Sequence, residues 1–159
     1  MNNQKPNVEA QYKSMLIIWV ALLMSQFMFV LLIFVTRPKL FTFDFSKPIA
    51  GASGAMVLGF AVAAVTAVLF SFGFRKRLNE RAVAVQDTAL VQSGLIIALA
   101  LCEASSLFGL ALAFAFDYQY FFLWIGLGVL GMILHFPKRD ELNVANHSVA
   151  EGRDSTGSK

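Results

Sequence analysis

Gly94-Leu-Ile-Ile-Ala-Leu-Ala-Leu-Cys102-Glu103-Ala-Ser-Ser-Leu-Phe-Gly-Leu-Ala-Leu-Ala-Phe-Ala-Phe116 is an apolar run with a single acidic residue, Glu103. A helix of roughly 20 apolar residues crosses a bilayer, so this stretch reads as a membrane span. At about 1.5 Å rise per residue, the carboxyl of Glu103 lies roughly 13 Å in from Gly94, near the midplane. A charged side chain there costs on the order of 2.5 to 3.5 kcal/mol. An unpaired carboxyl escapes that cost by holding its proton, so Glu103 is the candidate proton- or cation-binding group.

Composition agrees with the reading. Of 159 residues, 57% are hydrophobic and 14% charged, which does not describe a soluble globular domain. The expected fold is all-α: an integral membrane four-helix bundle with spans about 14–35, 50–74, 94–116 and 120–136. Residues 1–13 form a polar N-terminal segment and 137–159 a polar tail expected to be disordered. The N-terminal segment, the second connection and the tail hold Lys5, Lys13, Arg75, Lys76, Arg77, Arg81, Lys138, Arg139, Arg153 and Lys159. The other two connections hold Arg37, Lys39 and Lys47. Ten basic residues against three put both termini in the cytoplasm. The first run is too long for the apolar part of a secretory signal and reads as a retained anchor.

Within the spans, polar and small residues carry the remaining information. Gln26 interrupts the first span beside Ser25 and is expected to bond another helix. The second span opens at Gly51 and Gly54 and continues through Gly59 with several alanines, a close-packing surface. In the third, Ala98, Cys102, Ser105 and Gly109 recur at spacings of four, three and four, one small-residue stripe. Ser106 lies on the side of Glu103, and Thr66, counted back from Phe74, falls at its depth, so both hydroxyls are candidate partners of the carboxyl. The cluster Tyr118, Tyr120, Phe121, Phe122 and Trp124 reads as an interfacial aromatic belt, Gly126, Gly128 and Gly131 as a packing face, and His135 as an interfacial histidine facing water. His147 has no ligand-spaced partner, so no metal site is expected.

Glu103-Ala104-Ser105-Ser106-Leu107-Phe108-Gly109-Leu110 resembles the second helix of subunit c, the proteolipid of rotary ATP synthases, where a glutamate precedes Ala, two variable residues, an aliphatic, an aromatic and Gly-Leu. The resemblance covers Gly51 to Phe116. It implies that Glu103 matches the family's ion-carrying carboxylate and that the protein is c-like, working in proton translocation as a homo-oligomer or with other membrane subunits. Ala104 offers no side-chain oxygen where sodium-binding relatives have serine, which favours the proton. The chain departs from the family in lacking the strict alternating-glycine series and the Arg-Gln-Pro turn, and in having extra flanking spans.

No catalytic constellation or phosphate-binding loop is visible, so neither an enzyme nor a bound cofactor is expected, nor a nucleic-acid partner. Membrane lipids are the expected surroundings, in a bacterial inner (plasma) membrane. Beside the c-like reading stand a structural or assembly subunit with Glu103 as an interhelical hydrogen-bond lock, and a carrier or sensor of a small ligand at the aromatic face.

Overall fold

The structure, a computed structural model, describes residues 8–42, 44, 48, 49 and 54–154, with side chains as far as residue 146. Among the described residues the chain is all-α: α1 (Val8–Thr36), a short 3-10 helix (Pro38–Phe41), α2 (Gly54–Val85), α3 (Thr88–Phe116), α4 (Phe122–Leu134) and α5 (Arg139–Asp154). Three of these, α1, α2 and α3, are long and apolar enough to cross a membrane. Their outward faces carry large exposed side chains such as Met28, Leu31, Leu58, Leu69, Phe70 and Ile97.

The fourth helix is shorter than the expected span over 120–136. Its 13 residues rise about 20 Å, against a hydrocarbon core of about 30 Å. Local sequence sets both limits. Asp117 caps α3 in the left-handed conformation at φ 48°, and Tyr118 to Phe121 form a buried turn before α4 begins. At the other end Pro137 cannot continue a helix.

Between α2 and α3 the chain turns in two residues. Gln86 adopts φ 56°, and the Asp87 carboxylate accepts a hydrogen bond from the Ala89 amide at 2.9 Å, capping α3. The charged connection from Arg75 to Ser93 is therefore a continuation of both helices, as its lack of helix breakers predicts. The segment after Pro137 departs from the expected disordered tail. It enters α5 directly, and Leu142 and Ala145 are fully buried against Met15, Ala82 and Val91. Two apolar residues one turn apart are enough to seat one face of this otherwise polar helix.

Helix α3 is the centre, packed on α1, α2, α4 and α5. Its buried residues include Val91, Leu95, Ala98, Cys102, Ser105, Gly109, Leu112 and Ala113, the three-and-four spacing of one helix face and its flanks. Ala98, Cys102, Ser105 and Gly109 all lie on it, as the small-residue stripe requires. Their partner is α4. A Cβ at Gly109 would stand 2.8 Å from the Phe121 carbonyl, one at Gly131 2.7 Å from Cys102 Sγ, and one at Gly128 would collide with Ser106 Oγ and stand 2.7 Å from the Cys102 carbonyl. Gly59, expected to pack, is exposed with nothing within 4 Å of a Cβ, and so is Gly126. Gly54 is half-buried at the start of α2, and Gly51 lies outside the described residues.

Gly128→Ala forces the α3 and α4 backbones apart and is expected to cost about 1 to 3 kcal/mol. Gly126→Ala meets open space and gains helix propensity, so it is expected to be neutral or slightly stabilising. Thermal unfolding of the two variants in detergent checks this; equal midpoints would remove the assigned α3–α4 contact.

Candidate functional site

Two polar groups lie within the helices. The first surrounds Glu103, which is half-buried and faces α1 rather than α2. Ser25 Oγ lies 2.8 Å from Glu103 Oε1 and 2.7 Å from the Leu22 carbonyl one turn back on its own helix. Gln26, 1% exposed, reaches the same hydroxyl through Nε2 at 3.4 Å. Gln26 thus bonds within α1 and not to another helix as expected, its Oε1 has no partner among the described residues, and the direct partner of the acid is its neighbour Ser25.

Helix lengths explain the match. Glu103 is 15 residues beyond Thr88 and Ser25 is 17 beyond Val8, so on two helices that start at the same end both side chains sit about 23 to 26 Å along. Depth counting applied to α1 would have found Ser25 from the sequence. Thr66 fails the same count. It is 19 residues from Val85, about 6 Å further along than Glu103, and it is exposed. The error came from levelling the spans at Phe74 and Gly94, although α2 continues 11 residues past one and α3 begins six before the other. Ser106 is fully buried against Gly128 on the α4 side, and among the described residues its hydroxyl has no hydrogen-bond partner. The structure thus brings Ser25 to Glu103 and places neither Thr66 nor Ser106 as its partner.

A second group lies towards the basic end. Ser71 Oγ is 2.6 Å from the Val68 carbonyl, 2.7 Å from His135 Nε2 and 3.7 Å from Cys102 Sγ. Arg75 Nη1 lies 3.3 Å from His135 Nδ1. Its Nη2 donates to both Glu141 carboxylate oxygens, at 3.1 and 2.9 Å. One assignment of hydrogens satisfies the set. The Ser71 hydrogen goes to Val68, so Ser71 accepts from His135 Nε2–H and from the Cys102 thiol, which leaves the Nδ1 lone pair to accept from Arg75.

His135 is therefore neutral and 1% exposed, stacked on Phe72 with ring centroids 4.3 Å apart. It is not the water-facing histidine that its place before Pro137-Lys138-Arg139 suggests. A second proton on Nδ1 would face the Arg75 guanidinium, and sequence reasoning had no means to see that. Arg75 itself is 8% exposed; its place in a run of basic residues disguised it as a surface charge.

The aromatic cluster is also turned inward. Tyr118, Tyr120, Phe121 and Trp124 are buried. The Tyr118 hydroxyl donates to the Ile49 carbonyl at 2.7 Å, and its ring meets Trp124 edge-on at 5.5 Å. These four rings close one end of the bundle instead of forming a belt around it, while Phe122 of the expected belt is exposed. His147 lies among the residues whose side chains are not described.

No family profile matches the chain, and no curated protein and no solved structure matches it. The likeness to subunit c rests on the residues quoted for it.

Proposed function

We propose that the chain is a four-pass integral membrane protein, with both termini in the cytoplasm, that works as a subunit of a larger membrane assembly and in which Glu103 is a proton-exchanging lock between α3 and α1. The observation that carries this is the shared hydroxyl of Ser25, within hydrogen-bond distance of both Glu103 Oε1 and the Leu22 carbonyl. Serine has one hydrogen to give. With Glu103 ionised, Ser25 donates to the carboxylate and leaves Leu22. With Glu103 protonated, the acid donates to Ser25, and Ser25 donates to Leu22. One proton thus reverses the direction of the α1–α3 bond while the bond itself is kept.

Four-pass topology is supported by the placement of the helix ends. Arg139 reaches Glu9 at 3.4 Å and stacks over Tyr12, so the start of α1 and α5 share an end with the α2–α3 turn, the end rich in Lys and Arg. Arg37 and Asp117 pair at the opposite end. The short α4 completes the return with the turn and capping residues around it.

A second reading, c-like proton translocation within an oligomer, is supported by two observations. The α2–α3 hairpin turns at the basic end, and Glu103 is half-buried, so its proton is within reach of a neighbouring subunit. The locking role differs from it in what the acid does after it binds the proton.

Proton flux separates the two, because a proton-exchanging carboxyl is labelled by carbodiimide in either. Translocation predicts pH-dependent modification of Glu103 in the membrane, abolished in Glu103→Gln together with proton flux in reconstituted vesicles. The lock predicts that Glu103→Gln, which can still donate to Ser25, keeps the fold, while Ser25→Ala and Glu103→Leu each lower stability by about 0.6 to 1.7 kcal/mol, the range of interhelical hydrogen bonds in membranes. Stability unchanged in both Ser25→Ala and Glu103→Leu would refute the lock.

A further inference from the structure

We propose that the cleft between the C-terminal part of α2, the α4–α5 junction and the first turn of α5 binds the phosphate headgroup of an anionic phospholipid. The inference rests on the membrane placement given above.

The cleft holds about 350 Å³, within the range of small-molecule sites. Its charges do not balance. Arg75 is matched by Glu141 at 2.9 Å and Lys76 by Glu80 at 3.9 Å. Lys138 lines the same cleft, and among the described residues it makes no ion pair. One uncompensated cation suits one phosphodiester anion. The floor is already fixed: Arg75 is held by His135 and by both oxygens of Glu141, so the cleft keeps its shape without a ligand.

Shape selects a lipid over a free anion. Two apolar side chains, Phe72 and Leu134, line the cleft and are 40% and 60% exposed. They continue into the outward apolar faces of α2 and α4, so a molecule with its phosphate at Lys138 can lay an acyl chain along Phe72 and Leu134. The level is right as well. The cleft lies where the apolar part of α2 gives way to Arg75-Lys76-Arg77, at the end that the basic residues place against the cytoplasmic leaflet, whose anionic lipids attract such residues. Lys76 is the weaker ligand because its i,i+4 pairing with Glu80 competes.

The test uses the full-length protein in a neutral detergent, titrated by calorimetry with dihexanoyl phosphatidylglycerol, dihexanoyl phosphatidylcholine and inorganic phosphate. Phosphatidylglycerol is expected to bind about fivefold tighter than phosphatidylcholine, the worth of one basic residue near an anionic surface. Lys138→Gln is expected to remove that preference, and Lys39→Gln, exposed at the other end, to leave it intact. Lys138 is exposed, so its unliganded unfolding midpoint should not move, and Lys138→Glu provides a second variant that should reverse the preference. Equal binding of the two lipids, or a preference that survives Lys138→Gln, overturns the headgroup site while leaving the membrane placement standing. Inorganic phosphate binding as tightly as the anionic lipid overturns the assignment to a lipid.

Discussion

The close approach of α4 to α3 is the constraint on which the other contacts depend. Gly128 and Gly131 lie against the turn that carries Cys102 and Ser106, and Gly109 lies against Phe121 and Trp124, with no room at any of the three for one added carbon. Where helices meet without a hydrophobic drive between them, association comes from van der Waals contact, and small residues allow the most of it. That seating places the end of α4 beside Ser71 and Arg75 on α2, so that His135 reaches both. The same seating puts Met132 where its carbonyl accepts the indole N–H of Trp19 at 2.8 Å, which ties α1 to the pair.

Polar side chains among apolar helices must find partners, since an unmet group in such surroundings costs several kcal/mol in the least forgiving estimates. The two groups differ in how far they meet this demand: beside Ser25, Gln26 Oε1 has no partner among the described residues. Around Ser71 the hydrogen bonds run from the Cys102 thiol and His135 to Arg75 and on to Glu141, and they hold α2, α3, the end of α4 and α5 together. Around Ser25 one hydroxyl hydrogen lies within reach of two acceptors, Glu103 Oε1 and the Leu22 carbonyl.

Corrections to the sequence reading share a cause. His135 and four of the aromatic residues after Asp117 were placed by their neighbours in the chain, next to charges or at a span end, and Tyr118, Tyr120, Phe121, Trp124 and His135 are all buried. Gly59 and Thr66 were judged by residue type and depth, and each lies on the exposed side of α2. The expected disordered tail was judged by composition, which counts apolar residues without weighing their spacing; Leu142 and Ala145 are few, but they fall on one face.

From the sequence alone came the all-α class, the three long apolar helices, the extension of α2 and α3 towards a tight turn, and the small-residue stripe of α3, because helix formation, length and periodicity are local properties of the chain. Glu103 could be singled out there too, as the one acid in a long apolar run. Which side chain meets it was decided by the tertiary structure. Partners across helices depend on which face of each helix its neighbour covers, and that is set by contacts between residues far apart in the chain.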